Sequence, residues 1–180
     1  IQGYAHGTQK IMIIAVLSDT HLERPSPRLA TAFDRYCAGA DMLLHCGDCV
    51  GEETWAFLKA HHCFHAVLGN CDSFSLRGSL PALREVEAEG FRIGMAHGWG
   101  PRSLVAETVT AEFRNADLIC YGHTHIRDWG FRGGVWMLNP GSFSLPRDGM
   151  AGLALLTLKK DLPPAVEWIN VDPEESHRCL

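Results

Sequence analysis

Apolar positions in this 180-residue chain fall in short runs separated by turn residues. The two most apolar runs, Ile11 to Leu17 and Ala151 to Leu158, are strand-sized and fall well short of the ~18 uninterrupted residues a spanning helix needs. Ile11 to Leu17 reads as a buried strand. After the Pro25-Ser26-Pro27 break, Leu29, Ala32, Phe33 and Tyr36 recur at helical spacing and predict a helix from Arg28 to Ala40. Met42 to His45 predicts a second strand, Thr54 to Ala60 a helix and Phe64 to Leu68 a third strand, an alternation that implies a parallel sheet covered by helices. Leu83 to Glu87 and Phe91 to Ala96 flank the turn signal Glu89-Gly90, so an antiparallel hairpin follows and the sheet becomes mixed. Ser103 is placed to cap a helix running through Phe113, Leu118 to Tyr121 is strand, and further strands gather around Gly133-Gly134 and Pro163-Pro164. The second half holds more strands than one twisted layer accommodates. The expected architecture is therefore α/β, a two-sheet mixed β-sandwich flanked by helices. It forms a single domain over 11–172, with 1–10 and 173–180 as terminal extensions.

Composition narrows the function. Sixteen Lys and Arg against 21 Asp and Glu give a formal charge of -5, which disfavours a general electrostatic grip on nucleic acid or an anionic membrane. An apolar fraction of 46% suffices for a core. The N-terminus lacks a basic region followed by a long apolar stretch and a small-residue cleavage site, so a signal peptide is not supported. Seven cysteines, an odd number scattered through apolar segments, fit free thiols in a reducing, cytoplasmic compartment better than a disulfide framework.

Chemistry enters where polar residues follow the strands. Asp19-Thr20-His21 comes after the first strand, Gly47-Asp48 after the second and Gly69-Asn70-Cys71-Asp72 after the third. His97-Gly98 and Gly122-His123-Thr124-His125 follow two later ones. Ligand sites form at the carboxyl ends of strands in α/β sheets, so five loops deliver polar groups to one rim. The donors are two carboxylates (Asp19, Asp48), one amide oxygen (Asn70) and four imidazoles (His21, His97, His123, His125). Seven donors are too many for one tetrahedral ion. If Asp48 bridges, each of two cations receives four protein ligands and keeps open positions. Mixed nitrogen and oxygen ligation suits manganese, iron, zinc, nickel or cobalt rather than calcium or magnesium alone, and no thiolate is required.

In these blocks the chain resembles the calcineurin-like metallophosphoesterase superfamily, whose signature runs D-x-H, G-D, G-N-x-[ED], H-G and G-H-x-H in this order. The resemblance spans Ile11 to about Leu158. The small size, the Gly-Asn-Cys-Asp block and Asn139-Pro140-Gly141-Ser142 are similar to the small bacterial and archaeal phosphodiesterases of the YfcE type. The resemblance implies one cation on Asp19, His21, Asp48 and His125 and another on Asp48, Asn70, His97 and His123. It implies hydrolysis of a small phosphodiester by a hydroxide bridging the two cations, with Asp48, Asn70 and His97 central to catalysis. By analogy with similar proteins it also points to a homodimer or a higher homo-oligomer.

Many larger relatives carry His after the third-block Asn, where this chain has Cys71. A thiol lacks the reach and tuning of an imidazole as a proton donor, so esters with good leaving groups, such as aryl diesters, are the expected substrates. Two rival functions are a non-catalytic scaffold of the same fold and a nuclease of the superfamily. The intact set of ligand positions disfavours the first, and the acidic net charge disfavours the second.

Other motifs read as ordinary structure. Cys46-Gly47-Asp48-Cys49 has C-x-x-C spacing, but its Gly-Asp pair already belongs to the phosphoesterase pattern. His45, His61, His62 and His65 lie outside the signature, and His6 and His177 read as exposed termini. Asn139-Pro140-Gly141-Ser142 is foremost a turn by composition, and Arg147 a surface charge. Among the tryptophans, only Trp99 is placed to wall the site.

Overall fold

The computed structural model describes residues 10–171. The proposed extensions, with His6 and His177, lie outside these residues apart from Lys10. Two five-stranded sheets face each other. The first has the order β10-β9-β1-β2-β3 and the second β4-β5-β6-β8-β7. Their strands are β1 (Ile11–Leu17), β2 (Met42–His45), β3 (Phe64–Ala66), β4 (Leu83–Ala88), β5 (Phe91–Ala96), β6 (Leu118–Cys120), β7 (Arg127–Arg132), β8 (Val135–Pro140), β9 (Gly152–Lys159) and β10 (Ala165–Asn170). The helices are α1 (Pro27–Ala32), α2 (Glu52–Lys59), α3 (Phe74–Arg77) and α4 (Val105–Glu112).

β1 is central because it is apolar on both faces. Ile14 and Val16 join Met42 and Leu44 in one core cluster with Ile93, Met95, Leu118, Cys120 and Leu138 of the opposite sheet. The alternate residues Ala15, Leu17 and Leu43 pack on Leu29, Cys37 and Leu58 of the helical layer. A strand covered on both sides has no position for a polar residue, which explains the uninterrupted run. On the far side, Ala96, Ile119, Val135 and Met137 meet Val105, Val109 and Phe113 along α4. The result is a helix–sheet–sheet–helix stack.

Parallel pairing sets the position of the site. β1, β2 and β3 are mutually parallel neighbours in the first sheet, and β5, β6 and β8 are in the second. Their carboxyl ends therefore open at common edges. Beyond the strands the loops stay in register, with Asp19 N–H on Gly47 O (3.0 Å) and His21 N–H on Asp48 O (3.0 Å).

Four expectations need correction. The helix predicted from Arg28 to Ala40 ends as α-helix at Ala32 and continues as one wider π turn over Phe33–Cys37. The extra residue shifts the register, so Cys37 is buried and Tyr36 only partly. Ser103 does not cap α4: it sits inside a 3-10 turn, Arg102–Leu104, that follows Pro101 and feeds the helix, and no side chain caps that end. α2 begins at Glu52, two residues before Thr54, with Glu52 and Glu53 in its first turn where acidic side chains favour the helix dipole. β3 and β6 stop at Ala66 and Cys120, before Leu68 and Tyr121. No helix among the described residues is long and apolar enough to cross a membrane.

Candidate metal centre

All seven donors singled out in the sequence meet at one rim. Asp19 and Asp48 form a buried floor with His97, while His21, His123 and His125 are half-buried and Asn70 is exposed at the mouth. Nε2 of His125 lies 3.1 Å and Nε2 of His21 3.8 Å from Asp19 Oδ1. Nε2 of His97 is 3.3 Å and Nε2 of His21 3.6 Å from Asp48 Oδ2. Asn70 Oδ1 lies 3.1 Å from both His97 Nε2 and His123 Nδ1.

Each carboxylate has one oxygen tied to the protein and one aimed inward. Asp19 Oδ2 accepts from the Ser18 hydroxyl (2.5 Å) and the His123 N–H (3.1 Å). Its Oδ1 is buried without a hydrogen-bond partner. Asp48 Oδ1 accepts from the Cys71 N–H (2.7 Å), leaving Oδ2 toward the imidazoles.

The histidines follow the same rule. His97 Nδ1 is bonded to Cys46 O (2.8 Å), His125 Nδ1 to Leu145 O (2.7 Å) and His123 Nε2 to Gly100 O (3.3 Å). A carbonyl only accepts, so these nitrogens carry the proton and the opposite ones present lone pairs to the centre. Nε2 of His21 and of His125 face each other at 3.3 Å. A buried orphan oxygen and converging imidazole nitrogens fit a divalent transition cation.

Backbone conformation carries the cost of this convergence. Five of the seven donors, Asp19, His21, Asp48, His123 and His125, have positive φ (53°, 46°, 56°, 67° and 60°). That region disfavours residues with a Cβ and tends to collect at functional sites. Gly122 shows the crowding: a Cβ there would lie 2.0 Å from Ser18 Oγ and 2.8 Å from Asp19 Oδ2. At Gly69 a Cβ would lie 2.1 Å from Asp48 Oδ1.

Charge couples the groups. Burial pushes the Asp19 carboxyl upward, but His125, His21, His97 and Ser18 outweigh it and hold it far below the usual carboxylate range. Burial opposes the charged form of Asp48 too, and His97 with the Cys71 N–H reverses that, leaving a net lowering. Burial would lower His97, yet Asp48 and Asp19 raise it overall, and Asp19 raises His125. His123 is lowered by burial and by His97.

Several residues that are not among the seven donors brace these loops. His45 is buried, with Nδ1 accepting from Gly47 N–H (3.2 Å) and Nε2 3.2 Å from Thr20 Oγ1. Burial drives its pKa down to about 4. Asn139 Nδ2 donates to Gly122 O (2.8 Å) and Thr124 Oγ1 (3.0 Å), and Ser142 Oγ donates to Asp19 O (2.7 Å). Asp72 accepts from the N–H groups of Gly69 (2.6 Å) and Val50 (2.7 Å). A polar quartet closing an apolar strand at Asn139, and a histidine ending the run at His45, were the available signals. All six described cysteines are free; Cys46 and Cys49 are buried, and burial raises Cys49 to about 12. Trp99 is exposed.

A family model described as the calcineurin-like phosphoesterase superfamily domain matches residues 12–161. The chain belongs to that superfamily. A superfamily relative, the probable metallophosphoesterase YsnB of Bacillus subtilis, is 34% identical over 155 residues, covering 83% of this chain and 86% of the relative. The phosphodiesterase YfcE of Escherichia coli is 36% identical over 91 residues, 47% of this chain and 46% of the relative. Among solved structures, a predicted phosphoesterase from Streptococcus pneumoniae aligns with a TM-score of 0.70 at 23% identity, covering 92% of this chain and 95% of that one. Vps29 of Chaetomium thermophilum aligns at 0.68 and 19%, covering 92% and 99%. Both of these alignments show the shared superfamily fold.

Proposed function

We propose that the protein is a metal-dependent phosphodiesterase with a two-cation centre. Asp19, His21, Asp48 and His125 hold one cation, and Asp48, Asn70, His97 and His123 hold the other, with manganese the first candidate. The orphaned, fully buried Oδ1 of Asp19, ringed by three imidazole Nε2 atoms at 3.1 to 4.0 Å, is the observation that carries this reading. A carboxylate oxygen left so costs stability unless it has a partner.

Cations bound there supply Lewis-acid activation of water and of a phosphoryl oxygen. The chain's part is preorganisation. Backbone carbonyls fix the tautomers of His97, His123 and His125, so no reorientation is needed when substrate arrives. Asn70, exposed at the mouth, and His97 beneath it line the side on which a small phosphodiester enters. Burial, followed by Asp48, pushes the Cys71 thiol up to about 11, so it is protonated at neutral pH. It is a weak acid for a departing alkoxide, which favours aryl over alkyl leaving groups.

A second reading is a metal-binding platform of the same fold without turnover; a Vps29 structure from Entamoeba histolytica that shares the fold is a zinc complex. One experiment separates them. Chelator-stripped protein is reloaded with manganese, nickel, zinc or iron and assayed on bis-p-nitrophenyl phosphate, p-nitrophenyl phosphate and an alkyl monoester. The phosphodiesterase reading expects metal-restored activity, fastest on the aryl diester and lost in Asp48→Asn. Metal binding with no turnover on any ester establishes the platform.

A further inference from the structure

One donor at the mouth is not used by the proposed centre. Cys71 follows Asn70 directly and is exposed, and its Sγ accepts a 3.1 Å bond from Asn70 Nδ2. That sulfur, an imidazole nitrogen of His21 and a carboxylate oxygen of Asp48 all lie within 4.8 Å of one another. A second observation points to a cation beside the same histidine. Nε2 of His21 is 3.8 Å from the buried Asp19 Oδ1 that lacks any hydrogen-bond partner. The sulfur thus faces the His21 side from the loop whose amide oxygen faces His97 and His123.

We propose that Cys71 is a conditional soft ligand of this centre. With a thiophilic cation such as zinc, cobalt or cadmium, Sγ forms a coordinate bond and the thiol proton passes to water. With manganese the thiol keeps its proton and stays unbound. The inference rests on the metal-centre reading above.

Two features support it. Zinc–sulfur and zinc–nitrogen bonds of about 2.3 and 2.0–2.1 Å at a tetrahedral angle set sulfur and nitrogen ~3.6 Å apart, so a separation of up to 4.8 Å closes by roughly 1 Å through rotation of an exposed side chain. The other donors are nitrogen and oxygen, which manganese, iron and zinc all accept, so one thiolate added to them tips preference toward the softer ions. Sulfur bound in this way has also given up the proton that a leaving group would take, so the identity of the cation bears on leaving-group range.

Cobalt loading of the full, chelator-stripped chain tests the assignment. Visible d–d bands report cation at the centre, and a near-ultraviolet sulfur-to-cobalt charge-transfer band reports sulfur ligation. Cys71→Ser and Cys71→Ala should keep the visible bands and the melting temperature of the metal-free protein, and lose the near-ultraviolet band. In competition, their zinc-over-manganese preference should fall about tenfold. An unchanged near-ultraviolet spectrum in both variants overturns the cysteine ligand and leaves the centre standing. No visible bands in any form overturns the centre itself and the ligand with it.

Discussion

Ser142 Oγ donates a 2.7 Å hydrogen bond to the main-chain carbonyl of Asp19, tying the loop after β8 in one sheet to the loop after β1 in the other. The same hydroxyl accepts from the N–H groups of Ser144 (3.3 Å) and Leu145 (2.8 Å). Leu145 O in turn orients His125. One buried hydroxyl therefore supports two donors of the Asp19 side of the centre.

Ser142→Ala should weaken that side selectively. Expected are an affinity for the cation on the Asp19 side about tenfold lower, and a loss of roughly 1–3 kcal/mol of stability from the unpaired carbonyl. Calorimetric metal titration and thermal unfolding read the two effects, and wild-type values for both would remove the bracing role.

Gly122→Ala places a Cβ against Ser18 Oγ and Asp19 Oδ2, both on buried residues. Overpacking of this kind costs about 1–3 kcal/mol. The variant should unfold at lower temperature and bind metal more weakly, because the Asp19 carboxylate has to move. Denaturant melts with and without cation would detect both changes.

The pH dependence of metal-free stability has two limbs. His45 is held neutral, with its pKa lowered to about 4, while the unfolded chain protonates it near the usual ~6.5. The unfolded state then binds more protons between these values, so stability falls as pH drops from about 6.5 to 4, by roughly 3 kcal/mol. His97 and His125 are raised instead. Their contribution is fully present below about 6.5 and is lost as pH climbs through their folded values. Metal-free protein should be most stable near the crossover. Cation ligation requires neutral imidazoles, so saturating metal should abolish the alkaline decline. Urea midpoints across pH 4 to 8, below the range in which the thiols of the unfolded chain ionise, test this, and a decline above neutrality that persists with metal bound would contradict it.

Much of this was legible from patterning. β1 and β2 were readable to the residue because both are continuous apolar runs ended by polar motifs, and the Glu89-Gly90 turn located the β4-β5 hairpin. The donors were readable because each follows a strand whose end the apolar run marks. What escaped depends on contacts distant in sequence. His45 looks like any histidine until Thr20 and Gly47 close around it, and Asn139 and Ser142 read as turn residues until Gly122 and Asp19 supply their partners. α3, only Phe74–Arg77, is too short for a period to register, and Ser103 carries a capping residue type in a place where Pro101 has already started a tighter turn.

The central claim is that Asp48 is shared by two cations. Crystals grown with manganese and measured at its anomalous edge count the ions directly. Two anomalous peaks flanking Asp48, one beside Asp19, His21 and His125 and one beside Asn70, His97 and His123, are the predicted result. A single peak, or none among these side chains, contradicts it.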